Sequence, residues 1–242
     1  MARVRATILA AGRGVRMGGG TPKTLLPVDE GKGPLLRYIL EGLQKAAVTD
    51  LLVVTGHRAA EVETYVRERW DEDNLTFVRN MRYASWGNFH TVRVALDQSP
   101  GMDMLVVNSD IVVHPDVYRR VIDQRGDLIL AVQRRQRLDD EDMRVHLKGN
   151  RVLGVSKSLP VVKSQGEYAG VSLLRDSAHR IYGDLCNARQ WRAQTRGYYE
   201  DVYNDMVNLV EARAAEVAAG EYAEVDKPED LPGAAAVIER HF

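Results

Sequence analysis

The sequence predicts a doubly wound α/β fold, with a mainly parallel sheet, helices on both faces and a small antiparallel insertion. Three observations carry that reading. Short β-rich apolar runs alternate with stretches of helical periodicity through the first half of the chain. The opening run, Val4 to Ala11, breaks directly into a glycine cluster, as a buried strand does when it opens into a loop. Beyond Met143 the pattern changes to two β-rich runs joined by Lys148-Gly149-Asn150, which reads as a hairpin.

The elements follow in order. Leu35, Leu36, Ile39, Leu40 and Leu43 recur at helical spacing, and Leu51 to Thr55 is a short strand ending at Gly56. Val62, Tyr65 and Val66 predict a second helix, Leu75 to Val78 a strand, Thr91 to Leu96 part of a helix, and Met104 to Val107 a further strand. Pro115 suits a helix start, Val117, Tyr118, Val121 and Ile122 give that helix its apolar stripe, and Leu128 to Val132 is the next strand. After the hairpin of Val145–Leu147 and Val152–Val155, Tyr168 to Leu174 reads as a strand. Helical stretches are expected near Asp176 to Trp191 and Tyr199 to Arg213, then a short strand at Tyr222 to Val225 and a closing helix after Asp226. No repeat or linker divides the 242 residues, so one domain is expected. It is expected to comprise a core over 1–140, a second part over 141–225 and a closing helix over 226–242.

Composition narrows the function. The 33 basic and 34 acidic residues give a formal charge of -1, which offers neither a nucleic-acid footprint nor a polybasic membrane surface. Small-molecule partners are expected instead, and a homodimer is left open. The single Cys186 excludes an internal disulfide framework and a cysteine-rich zinc site. No apolar stretch approaches the roughly 20 residues that span a bilayer, and the apolar start is too short for a secretory segment, so the expected location is the cytoplasm.

The loop Gly12-Arg13-Gly14-Val15-Arg16-Met17-Gly18-Gly19-Gly20-Thr21-Pro22-Lys23 reads as a clamp for polyphosphate. Glycines let backbone N–H groups approach an anion, and Arg13, Arg16 and Lys23 add cations. A Walker A loop would need Gly-Lys-Ser/Thr, and the dinucleotide fingerprint would need a glycine three residues after Gly14. Neither is present. In a doubly wound sheet, ligands lie beyond the carboxyl ends of the strands, so this loop should share a crevice with Asn108-Ser109-Asp110, which ends the Met104 strand. A carboxylate there can hold Mg²⁺ against phosphates; a turn or cap before Pro115 is the alternative for Asp110. The six histidines show no ligand spacing.

The string Leu9 to Met17, followed by Pro22-Lys23 and Leu26-Pro27, resembles the signature of the nucleotidyltransferases that activate sugar phosphates and phospho-alcohols. The resemblance implies a Rossmann-like fold of the nucleotide-diphospho-sugar transferase type. It also implies a nucleotide site at Leu9, Ala10, Ala11, Gly12, Gly14 and Arg16, with Arg13 and Lys23 as the catalytic cations. By the same resemblance Asp110 and Asp226, the latter in Glu224-Val-Asp226-Lys-Pro-Glu-Asp-Leu231, would hold Mg²⁺; an N-cap is the competing reading for Asp226. The family often has an acidic residue where this chain has Asn108. Asn80, Tyr83, Trp86, Asn88 and Thr91 resemble the base-reading segment of the cytidylyltransferase branch, in which Gly87 replaces one asparagine, so Asn80 and Asn88 are expected at a pyrimidine and CTP is the favoured nucleotide. Tyr199, Glu200 and Asp201 resemble the aromatic-acidic segment of enzymes that make CDP-choline, CDP-inositol or cytidylylated phosphonates. Carboxylates near aromatic faces suit an ammonium and also suit hydroxyls; stabilising a helix N-terminus is the alternative role. Lys157 is expected at the acceptor phosphate.

The implied reaction is a cytidylyl transfer from CTP to phosphocholine, 2-aminoethylphosphonate or inositol phosphate, with pyrophosphate leaving. A sugar-1-phosphate nucleotidyltransferase using UTP, dTTP or GTP, and a catalytically silent nucleotide-binding regulator, are the alternatives.

Overall fold

The strand Arg3–Ala10 (β1) forms because both of its faces can be buried, Ala6, Ile8 and Ala10 on one side and Thr7 and Leu9 on the other. The computed structural model describes residues 3–14, 17 and 20–242. It places β1 between two parallel neighbours, Asp50–Thr55 (β2) and Met102–Asn108 (β4), with Leu75–Arg79 (β3) parallel to β2 on the outer side. Next come Ile111–Val113 (β5), Leu128–Arg134 (β6), Arg144–Lys148 (β7), Arg151–Val155 (β8), Gly166–Leu174 (β9), Ala212–Val217 (β10) and Tyr222–Glu224 (β11). The main sheet has the order β3-β2-β1-β4-β9-β6-β10-β8-β7, and β11 pairs with β5 in a separate two-stranded sheet.

The sheet is mixed. Parallel pairing holds for β3-β2-β1-β4 and again for β6 with β10, whereas β9 runs antiparallel between β4 and β6. The expected hairpin is β7–β8, which packs at the far edge and also touches β9.

Alternate residues of the strands feed two helical layers. Leu35–Lys45 (α1), Ala59–Arg67 (α2) and Pro115–Asp123 (α4) pack on one face, where Ile39, Val62 and Tyr118 meet Ile8 and Val53. Phe89–Leu96 (α3), Asp176–Trp191 (α5) and Tyr199–Met206 (α6) pack on the other, where Phe89, Tyr182 and Tyr203 meet Leu52 and Val106. Each large side chain so buried contributes about 1.5–3 kcal/mol over exposure, which is what fixes both layers against the sheet. The closing helix, Leu231–His241 (α7), covers a smaller core with Val28, Leu35 and Val112.

The chain departs from its local pattern at two places. The helix starting at Tyr199 ends at Met206, and Ala212–Val217 is the interior strand β10 rather than a continuation of helix to Arg213. Alanine-rich Ala212-Arg-Ala-Ala-Glu-Val217 favours helix locally, but alternate burial between β6 and β8 overrides that preference. The short strand β5 is absent from the expected elements, although its three β-branched residues favour extension; pairing with β11 completes it.

Among the described residues, no helix is long and apolar enough to cross a membrane. Cys186 is buried on α5, and burial pushes its thiol up to about 12. At pH 8 it is therefore expected to stay a thiol and to resist an aromatic disulfide reagent in the native protein, reacting only after denaturant is added. Prompt native labelling at pH 8 would contradict the packing of α5.

Candidate active site

The site begins where β1 and β4 end together. Leu9 pairs with Asn108 in register, and the Ser109 hydroxyl donates to the Leu9 carbonyl at 2.9 Å. The glycine loop and Asn108-Ser109-Asp110 therefore open on one edge, as the position of ligands in doubly wound sheets requires. A cleft of about 380 Å³ lies there, floored by Leu9, Ala10, Ala11 and Gly12 and walled by Gly14, Lys23 and Asp110. Tyr83, Trp86, Asn88 and Thr91, from the segment between β3 and α3, line its other end.

Three carboxylates converge at the Lys23 wall of the cleft. β11 pairs with β5 so that Glu224 faces Ile111, and the Val225 N–H donates to the Asp110 carbonyl at 2.8 Å. This backbone tie brings Glu224 and Asp226 to Asp110, and one ligand atom from each lies within 4.8 Å of the others. Lys23, just after Pro22, is the counterion: its Nζ donates to Asp110 Oδ2 at 3.1 Å and to Asp226 Oδ1 at 2.7 Å. Burial works to lower the Lys23 pKa, but Asp110 and Asp226 outweigh it and the net shift is upward, so the ammonium stays charged. Burial, followed by repulsion from Asp110 and Asp226, pushes the Glu224 carboxyl up to about 8.

Neither acid is used as a helix cap. The His114 ring caps α4 by accepting from the Asp116 N–H, and Asp230 accepts from the N–H groups of Asp226 and Lys227. The carboxylates of Asp110 and Asp226 both bond Lys23 in the cluster. Asp110 Oδ1 is buried with no hydrogen-bond partner among the described residues. Three hard oxygen donors, one of them orphaned, suit Mg²⁺ rather than a soft metal.

The remaining sequence-predicted residues divide. Arg13 is exposed on the loop, and Arg16 lies outside the described residues. Asn88 lines the cleft. Asn80 does not: it is 1 % exposed, donates to Thr91 Oγ1 at 3.0 Å and accepts from the Arg82 N–H, so it shapes the segment that carries Asn88 and Thr91. Lys157 sits after β8 at 3.6 Å from Glu141, away from the cleft lining. Asp201 accepts from the Tyr198 N–H at 2.8 Å and fixes the start of α6. Tyr199 and Glu200 are buried beneath the cleft rather than lining it. Burial pushes the Glu200 carboxyl up to about 8, and its Oε2 has no partner among the described residues.

Gly87, where the cytidylyltransferase pattern has asparagine, is explained by a close approach. Its N–H donates to the Thr195 carbonyl at 2.7 Å, and a β-carbon would fall 1.9 Å from the Gly197 carbonyl oxygen. No side chain fits. The structure adds Glu224 to the two aspartates expected at the metal, and adds Tyr83 and Trp86 to the cleft lining. The Glu-Val-Asp spacing is the available signal for Glu224, since alternate residues of an extended segment share a side.

Comparison with known proteins decides the family. The profile of the MobA-like NTP transferase domain matches residues 6–195. The chain belongs to that family. As an NTP transferase domain it is 30% identical over 234 residues to a bifunctional IPC transferase and DIPP synthase of Rubrobacter xylanophilus, a match covering 94% of this chain and 50% of the relative. It is 29% identical over 126 residues to the bifunctional protein GlmU of Francisella tularensis subsp. novicida, covering 52% and 26%. The chain thus spans half or less of the length of these relatives. Its fold matches the inositol-1-phosphate CTP transferase from T. maritima with a TM-score of 0.80 at 17% identity, covering 98% and 97% of the two chains. It also matches the CTP:phosphocholine cytidylyltransferase LicC from Streptococcus pneumoniae, with a TM-score of 0.75 at 20% identity over 95% and 96%. These likenesses confirm the α/β nucleotide-diphospho-sugar transferase type of fold. The matched profile ends before α6, Glu224 and Asp226.

Removing Lys23 leaves the carboxylates without their shared cation. Because Asp110 and Asp226 keep some solvent contact, Lys23→Ala is expected to cost about 1–2 kcal/mol, less than a fully buried pair. Millimolar Mg²⁺ should recover more melting temperature in this variant than in the parent; equal gains in both would refute the proximity of Lys23 to the cation-binding acids.

Proposed function

We propose that this protein is a Mg²⁺-dependent cytidylyltransferase that joins CMP from CTP to a small phosphate or phosphonate, such as phosphocholine, 2-aminoethylphosphonate or an inositol phosphate. The observation that carries the reading is the convergence of Asp110, Glu224 and Asp226 on Lys23 at the phosphate end of a cleft floored by the glycine loop. Two structural neighbours, an inositol-1-phosphate CTP transferase and a CTP:phosphocholine cytidylyltransferase, support the choice of nucleotide and acceptor class.

An acceptor phosphate oxygen attacks the α-phosphorus of the triphosphate; a new P–O bond forms, the bond to the bridging oxygen of the β-phosphate breaks, and pyrophosphate leaves with that electron pair. The nucleophile is already anionic near neutral pH, so the protein needs alignment and charge compensation more than a general base. Asp110, Glu224 and Asp226 would hold Mg²⁺, and the ion would supply charge screening and Lewis-acid chemistry toward the phosphates. Lys23 and the loop N–H groups stabilise the charge that moves onto the leaving pyrophosphate, assisted by Arg13. Asn88, beside Tyr83 and Trp86, serves the base end.

Pyrophosphate release should be measured with Mg²⁺, crossing CTP, UTP, dTTP, GTP and ATP against phosphocholine, 2-aminoethylphosphonate, inositol 1-phosphate and glucose 1-phosphate. Release is expected with CTP and a phospho-alcohol or phosphonate, and it should vanish with EDTA. Asp110→Asn should lower kcat by at least about a hundredfold with the fold intact, as loss of a major electrostatic group does. Preference for another triphosphate with glucose 1-phosphate would overturn the substrate assignment, and unchanged kcat in Asp110→Asn would overturn the metal assignment.

A further inference from the structure

Helix α6 reaches the cleft through a single buried residue. Its start is pinned from outside: Asp201 accepts from the Tyr198 N–H, and the Arg189 guanidinium donates to the Asp201 carbonyl at 2.9 Å and to Asp205 at 2.6 Å. Tyr199, fully buried at that start, then makes two bonds to cleft residues from different segments. Its backbone N–H donates to Asn88 Oδ1 at 2.9 Å, and its phenol donates to Asn108 Oδ1 at 2.8 Å. A backbone N–H can only donate, so the atom of Asn88 facing it must be the amide oxygen. The phenol is itself steadied, with the Tyr168 hydroxyl at 3.0 Å.

The space around Asn108 is shaped for this arrangement. Gly170 on β9 has φ +69, and a β-carbon there would stand 3.1 Å from the Asn108 amide nitrogen and 3.0 Å from Ile111. A side chain would press on the amide from below. Both asparagines line the cleft, and among the described residues neither amide nitrogen donates to a protein acceptor. Each side-chain oxygen is spent on Tyr199, and each NH₂ remains to be used.

We infer that Tyr199 is a positioning residue that holds Asn88 and Asn108 by their amide oxygens and so presents two N–H donors to hydrogen-bond acceptors of the nucleoside part of a bound nucleotide. The inference rests on the nucleotidyl-transfer reading of the cleft. Asn88 stands with Tyr83 and Trp86 at one end, and Asn108 stands two residues before Asp110 at the other, so the two donors straddle the sugar between base and phosphates. An amide at Asn108, where the resembling family often carries an acid, is then a gain of function at that position. A carboxylate could accept from the phenol equally well but would have no N–H to offer.

The test is a double-mutant cycle read as CTP affinity, by calorimetry and by the KM for CTP in the pyrophosphate assay, with thermal melting as the folding control. Tyr199→Phe should weaken CTP binding about fivefold to tenfold, the size of one lost hydrogen bond, with a smaller effect on kcat. In an Asn108→Ala background the same change should add less than twofold, because its effect passes through Asn108. Asn108→Asp, which keeps the acceptor but removes the donor, should weaken CTP at least as much as Asn108→Ala. Fully additive losses, or Asn108→Asp binding CTP like the parent, would overturn the inference while leaving the nucleotidyltransferase reading standing. Should Tyr199→Phe fail to fold, Asn88→Asp decides the same point: weaker binding supports the donor assignment and parental binding refutes it. A parent protein that binds none of CTP, UTP, GTP or ATP would sink the nucleotide reading and this inference with it.

Discussion

Three carboxylates crowded at the mouth of a cleft repel one another, and a cation must stand among them for the site to hold together. In this chain the cation is Lys23, bonded to Asp110 and Asp226. These residues come from the loop after β1, the end of β4 and the segment after β11, so a single ammonium joins the start, middle and end of the fold. The same crowding is the basis for the proposal that the site takes a divalent cation beside phosphates. Charge that the protein balances with one lysine can be balanced better by an ion with several open coordination positions. In that arrangement burial and the neighbouring aspartates raise the Glu224 pKa, and the two aspartates keep Lys23 charged against its burial.

The mixed sheet determines where that arrangement can sit. β1 and β4 are parallel and end together, which gives a common edge for loops; antiparallel β9 beside β4 then brings Gly170 next to Asn108. Helix α6 packs on the face opposite α1 and α4, with Tyr203 bonded to Ser172 of β9 and Tyr199 bonded to Asn88 and Asn108. The buried tyrosines thus serve packing and polar satisfaction together, since each phenol that leaves water must find a partner. Through them α6 is tied to β9 and to Asn88 and Asn108 of the cleft lining.

Legibility varied with the range of the forces involved. Helical stripes such as Leu36, Ile39, Leu40 and Leu43, and buried runs such as Leu51 to Thr55, carry their own periodicity, and they fold where that periodicity points. Residues 212–217 do not: alanines and an arginine favour helix, and only β6 and β8 on either side make them a strand. For Asn80 and Tyr199 the residue types were right for a polar site. Their burial, and the use of their polar atoms on Thr91, Asn88 and Asn108, came from packing that no local pattern encodes.

The sequence by itself determined the α/β class, the glycine loop that begins the cleft, and the identity of Lys23, Asp110 and Asp226 as chemically unusual residues. The first two are matters of composition and local pattern, whereas the three residues stand out through short motifs that resemble those of the nucleotidyltransferases. Tertiary structure alone decided that Glu224 joins the acids, that Gly87 must lack a side chain, and that Tyr199 bonds the side-chain oxygens of Asn88 and Asn108. Each of those depends on groups far apart in the chain, brought together by β5–β11 pairing or by burial of α6, and a hydrogen bond a few ångströms long is set only once such packing is complete.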